Sequence, residues 1–238
     1  LHGPDDTLDP LLGTSTIDYT RSNASRNGLI QIWDDMSLNA ELAEEWSVNS
    51  NATEYTFKIR KGVTFHDGSG LTAEDVVWSM DRHRGEDSPS SIKSFFTNVT
   101  EWQAVDKYTV KLSLSSPDAD MPYKLTQPQA KIVKANATDW LTAGSGPYLV
   151  DSFQAGVKST HSRNPNYWRD TGQWLDGIEI TAITDMNARL NALLAGSVDM
   201  ITSISPKQIQ KIEESGNNVL SVPAGLYGGI CCLKNTAP

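Results

Sequence analysis

The chain has no long apolar run, almost no cysteine and no excess of positive charge. No stretch approaches the roughly 18–20 consecutive apolar residues that span a bilayer. The opening "LHGPDDTLDP" has neither the basic start nor the apolar centre of a signal peptide. Its two cysteines, Cys231 and Cys232, are adjacent. Strand neighbours point to opposite faces, so a bridge between them would be strained, and they are read as small buried hydrophobes that leave the redox compartment open. Basic residues number 20 against 29 acidic ones, a net charge of −9. That balance repels a phosphate backbone and an anionic membrane surface, which argues against nucleic acid as a partner.

The usual signatures of catalysis are missing too. There is no G-x-S-x-G elbow, and "GSGPY" at 144–148 lacks the lysine and helix cap of a phosphate loop. Its glycines are read as backbone freedom at a turn. The four histidines, His2, His66, His83 and His161, show no paired ligand spacing. His66 and Asp67, adjacent in sequence, are read as ordinary turn residues. The acidic pairs Glu44-Glu45, Glu74-Asp75 and Glu213-Glu214 are read as caps and solvated faces, because neighbours on a helix diverge by about 100°. The seven tryptophans are read mainly as packing, and the four Asn-x-Ser/Thr sequons as chance in a chain rich in those residues. No cofactor motif is present. This absence favours a binding module over an enzyme.

What is present is strong local pattern. Tyr55, Phe57 and Ile59 alternate with polar residues, predicting a strand with one buried face. Lys61-Gly62 and Asp67-Gly68 are turn signals, so the run reads as a hairpin leading into a helix. Thr72 caps that helix with Asp75 three residues on, and Ala73, Val76, Val77 and Met80 form its buried stripe. "KYTVKLSL" predicts a second alternating strand, paired through a tip at Asp106-Lys107 with "VTEWQAV". The proline-bearing stretch at 116–129 reads as loop with a short helix near Tyr123. Beyond "GSGPY" the chain alternates: strands at "YLVDSF" and "LDGIEITAI", a helix from Asp185 to Gly196, a strand at "VDMITSI", and a helix opened by Ser205, Pro206 and Gln208 and closed by Gly216. "NVLSVPA" and "YGGICCLKN" return to strand. The succession predicts a mixed α/β sheet.

In this order, "TLDP" (7–10), "LAEEWS" (42–47), the 55–83 run, "VDKYTVKLSL" (105–114), "GSGPY", "RNPNYW" (163–168), "LDGIEI" (175–180), "GSVDM" (196–200) and "LKN" resemble the extracytoplasmic solute-binding proteins of peptide and nickel ABC importers, family 5. The resemblance implies an α/β fold, the first lobe of a type II (cluster C) periplasmic binding protein: a mixed sheet with flanking helices plus an inserted α+β subdomain. Residues 1–33 and 141–238 would form the hinge-side subdomain and 34–140 the insert, with the second lobe absent. It implies no enzyme and no cofactor. The expected role is capture of a small solute, foremost a peptide, in an interlobe cleft, and delivery to membrane permease subunits by a periplasmic or lipid-anchored monomer. By position, the resemblance nominates Gly13, Thr14, Ser15, Asp18, Phe95, Tyr123, Gln127 and Gln129 for one cleft wall. A nickel or metal-chelate carrier and a glycan-active enzyme are the alternatives; the scattered histidines argue against direct metal coordination.

Overall fold

The computed structural model describes residues 5–171 and 173–220. The chain divides into two compact units, Leu1–Thr184 and Asp185–Pro238. The first opens with a 3-10 helix, Pro10–Leu12, and helix α1, Thr16–Ser25. Strands β1 (Asn27–Gly28), β2 (Ile30–Ile32), β3 (Leu38–Ala40), β4 (Ala43–Val48) and β5 (Glu54–Ile59) precede helix α2, Ala73–Asp81. A 3-10 helix, Lys93–Phe96, is followed by β6 (Val99–Asp106), β7 (Thr109–Leu114), helix α3 (Met121–Lys124) and β8 (Lys131–Ile132). Strands β9 (Tyr148–Gln154), β10 (Lys158–Arg163) and β11 (Gly177–Thr181) complete the unit.

The core lies under a four-stranded sheet in the order β4-β5-β7-β6. Tyr55, Phe57 and Ile59 are buried on one face of β5, as their period of two requires. The expected β6–β7 hairpin forms, turning at 107–108. One expectation changes. Residues 63–71 do not fold back on β5; they close a small turn of their own through a Thr64–Gly70 bridge, while β5 pairs with β4 and β7. The register sets Tyr55 opposite Leu112 and Phe57 opposite Val110, a larger apolar match than Val63 and Phe65 offer. Gly62 and Gly68 have φ of +80° and +84°, the left-handed conformation that makes glycine necessary at both turns.

Helix α2 closes the core with Ala73, Val76 and Met80. Asp75 Oδ2 accepts hydrogen bonds from the Thr72 amide (2.9 Å) and hydroxyl (3.0 Å), and Oδ1 accepts from the Ala135 amide at 2.9 Å. The carboxylate therefore both caps the helix and ties the approach to "GSGPY" onto it.

Strands β9, β10 and β11 form an antiparallel sheet in that order. Strand β10 has no sequence signal, because its buried side chains are Ser159 and His161 instead of apolar residues. All strand pairs among the described residues are antiparallel.

In the second unit, α4 (Met186–Leu194) is capped by Asp185, whose Oδ1 accepts from the Ala188 amide at 2.7 Å. Helix α5 (Pro206–Glu214) carries the expected Ser205–Gln208 capping box. Gly196 and Gly216, with φ of +68° and +83°, close the two helices. "VDMITSI" is irregular instead of a strand, and Met200 in it is 75% exposed. A strand exists only by backbone pairing, and no described segment supplies a partner there. Residues 218–220 of the next expected strand are likewise unpaired in a sheet; the rest of it, "YGGICCLKN" and both cysteines lie outside the described residues.

Candidate functional site

The loop after "TLDP" is a scaffold of shared carboxylates. Asp9 Oδ1 accepts from the Leu11 amide at 3.1 Å and opens the 3-10 helix. The same carboxylate holds the Arg82 guanidinium through both oxygens. Asp18 is the N3 residue of the α1 capping box. Its Oδ2 accepts from the Thr14 amide (3.3 Å), the Ser15 amide (3.2 Å) and the Ser15 hydroxyl (2.7 Å), and its Oδ1 from the Thr7 amide at 3.2 Å. The Arg21 guanidinium stands 3.9 Å away. A carboxylate accepting four hydrogen bonds beside a cation has its lone pairs committed.

The eight nominated residues separate by exposure. Thr14, Phe95 and Tyr123 face outward and Gln127 is half-buried, whereas Gly13, Ser15, Asp18 and Gln129 are buried. Phe95 and Tyr123 each sit on one turn of helix whose neighbours, Phe96 in one case and Met121 in the other, anchor it in the core. Leu12, 44% exposed, adds apolar surface next to Thr14. Gln129 directly joins two of the nominated segments: its Nε2 lies 3.4 Å from the Gly13 carbonyl, 3.0 Å from Tyr19 Oη and 3.2 Å from Ser91 Oγ. Tyr19 and Ser91 were not legible as part of this cluster, because they lie 110 and 38 residues from Gln129 in sequence.

A second convergence gathers the motifs themselves. The "GSGPY" glycines both have ordinary φ, so turn freedom is not their role. Gly146 donates its amide to the Ser25 carbonyl at 3.0 Å, and its own carbonyl receives the Asn164 side-chain amide at 3.0 Å. His66 is more than a turn residue: its amide donates to the Gly144 carbonyl at 2.8 Å and its Nε2 lies 3.1 Å from the Gly146 carbonyl. Asn27 meets Glu41, Tyr167, Ser145 and the Trp168 indole N–H. Beside it, Arg26 is buried and donates to Ser25 Oγ and the Trp140 carbonyl. Burial lowers that guanidinium to about 10, with Asp9 partly offsetting the effect.

Burial lowers all three described histidines. Burial, then the Arg82 charge, holds His83 at about 4; its Nδ1 lies 2.7 Å from Ser90 Oγ. Burial, then Arg21, holds His161 at about 4, with Nε2 2.9 Å from Ser159 Oγ. Burial also lowers His66. All three are neutral near pH 7. Among the described residues no group of three or more His, Cys, Asp or Glu could hold a metal ion, and no helix is long and apolar enough to cross a membrane. An open depression of about 420 Å³ on α2, lined by Glu74, Val77, Trp78, Asp81 and Arg82, includes none of the nominated residues.

The fold is that of the type II periplasmic binding proteins, on which it superposes. Residues 37–238 match the family described as bacterial extracellular solute-binding proteins, family 5 (middle), and the chain belongs to it. It is 26% identical over 220 residues to the glutathione-binding protein GsiB of Escherichia coli (strain K12), covering 89% of this chain and 43% of GsiB. The structure of AgaA from A. tumefaciens R10, in complex with agropinic acid, superposes with a TM-score of 0.83 at 30% identity, covering 89% of this chain and 44% of AgaA. MoaA from A. tumefaciens R10, in complex with mannopinic acid, gives 0.80 at 26%, covering 92% of this chain and 47% of MoaA. The chain thus spans less than half the length of these relatives. Members of the family are transport binding proteins, not enzymes.

Proposed function

We propose that this chain supplies one wall of a solute cleft in the binding component of an ABC importer, and that the solute is a peptide or a small peptide-like organic acid. The observation that supports the reading is a set of exposed side chains on segments held from within. Leu12, Thr14, Phe95 and Tyr123 are exposed on segments held by Asp18, Gln129, buried Phe96 and buried Met121. A largely preformed surface with a few polar groups is what solute binding needs, since no chemistry follows. The names of GsiB, AgaA and MoaA point to ligands of this size and polarity. Because Asp18 is committed to four donors, a ligand ammonium would find its carboxylate elsewhere in the protein.

The division into an inserted subdomain (34–140) and a hinge-side one (1–33 with 141–238) belongs to the same reading. The four-stranded sheet and α2 fall within the first range, and α1 with β9, β10 and β11 within the second. Delivery to permease subunits, as a free periplasmic or lipid-anchored monomer, completes the proposal.

Calorimetric titration of a protein that joins this chain to the remaining length of a family member tests it. Glutathione, di- and tetrapeptides, agropinic acid and mannopinic acid form the panel. Saturable one-site binding of at least one compound is expected at about micromolar strength or tighter, with this chain alone binding at least about a hundredfold more weakly. Equal binding by the chain alone would refute the one-wall assignment; silence across the panel would refute the ligand class.

A further inference from the structure

We propose that Gln129 is a positioning residue: its buried carboxamide sets the spacing between the 13–15 turn and the 90–96 loop, and through it the shape of the wall, without meeting the solute. The inference rests on the wall reading above.

Gln129 is only 5% exposed, and its Oε1 is buried without a hydrogen-bond donor among the described residues. At that burial neither polar atom of the carboxamide is presented to a ligand. Its Nε2 carries two hydrogens and faces three oxygens, one from each surrounding segment: the Gly13 carbonyl, Tyr19 Oη on α1 and Ser91 Oγ. The carboxamide is short and planar, so these contacts fix a separation as well as an affinity.

Its base is equally fixed. The Pro128 carbonyl receives the Ser22 hydroxyl at 3.4 Å, the Ala130 amide donates to the Gln127 carbonyl at 2.9 Å, and β8, which pairs with β1, begins two residues on. The far loop is clamped a second time from the same side. His83, whose ring meets the Gln129 backbone, holds Ser90 Oγ through Nδ1, and Ser90 Oγ in turn receives the Ile92 amide at 3.3 Å. Phe95 is exposed at the end of that loop. A change at Gln129 therefore reaches the two segments through Gly13 and Ser91.

Two substitutions separate positioning from general stability. Ser91 is exposed, so Ser91→Ala removes one link without touching the core. Gln129→Ala removes all three. Amide hydrogen exchange on this chain is the first readout, with β5 and β7 as internal reference. Gln129→Ala should speed exchange in both 10–15 and 90–96 by about fivefold to tenfold, and Ser91→Ala in 90–96 alone, with the strands unchanged. Unchanged loops, or acceleration spread evenly into β5 and β7, would overturn the proposal. The second readout is the affinity ratio between agropinic acid and a tetrapeptide in the joined protein. Both variants should move that ratio in the same direction, and a ratio unmoved in both would also overturn it. If no panel compound binds the wild type, the wall reading falls, while the exchange result still decides whether Gln129 spaces the two segments.

Discussion

A Cβ placed on Gly144 would stand 2.1 Å from the carbonyl oxygen of Ser25. The same addition at Gly146 meets the Arg26 backbone nitrogen at 2.3 Å. Both obstacles are backbone, so neither can swing aside. Gly144→Ala and Gly146→Ala should each destabilise the chain by about 3 kcal/mol, because two segments must part and break the Gly146–Ser25 hydrogen bond. Urea denaturation measures this; a loss below about 1 kcal/mol in both variants would contradict the close approach. Gly70, with open space around it and ordinary φ, is the control and should tolerate alanine.

Asp18→Ala removes the acceptor of four hydrogen bonds at the start of α1. The expected cost is about 2 kcal/mol, since a capping box and two further loop amides lose their partner together. Thr14 and Ser15 amides should then exchange faster in a hydrogen-exchange measurement. A ligand contact with no structural role would instead leave both stability and exchange intact.

The Arg82 guanidinium lies near two indole rings, 4.8 Å from the centroid of Trp78 and 5.2 Å from that of Trp140, while both its terminal nitrogens reach Asp9. Lysine keeps the charge but neither the planar fork nor the stacking surface. Arg82→Lys should cost roughly 1–2 kcal/mol in denaturation. The altered environment of the two indoles should also shift tryptophan fluorescence, and an unchanged spectrum would argue against the stacked geometry.

Stability should fall in mild acid. His83 and His161 ionise near 4 in the folded chain against an ordinary value of 6.5. Between pH 6.5 and 4 the unfolded chain binds protons that the folded chain refuses, so this stabilisation is full above pH 6.5 and is lost as pH falls towards 4. The loss approaches roughly 3 kcal/mol per imidazole. Denaturation at several pH values in wild type and His161→Gln should show a shallower fall in the variant; identical slopes would show that His161 is not the titrating group.

Phe95→Ala and Tyr123→Ala test the outward wall most directly. Both side chains are more than a third exposed, so stability should change by no more than about 0.5 kcal/mol. If the rings face the solute, affinity in the joined protein falls at least about tenfold for one of them, an effect that titration separates cleanly from folding.

Local pattern was enough to read β5, the β6–β7 hairpin, α2 with its Thr72–Asp75 cap, and α5 with its Ser205–Gln208 box. Each of these carries its signal in residues close in sequence, through period, turn chemistry or caps. Strand β10 has no such pattern because its inward side chains are polar, Ser159 Oγ meeting Arg21 and His161 Nε2. The order of motifs was likewise enough to identify the family.

The tertiary structure decided which motif residues touch. Asn27, Glu41, Ser145, Tyr167 and Trp168 are spread across more than a hundred residues yet share one hydrogen-bonded knot. It also decided that the "GSGPY" glycines serve close packing, and that Asp18 and Gln129 are buried while Thr14, Phe95 and Tyr123 are exposed. Sequence records local geometry directly because backbone preference acts between near neighbours. Whether a polar side chain faces a solute or a buried carbonyl depends on distant segments arriving beside it, and no local pattern encodes that arrival.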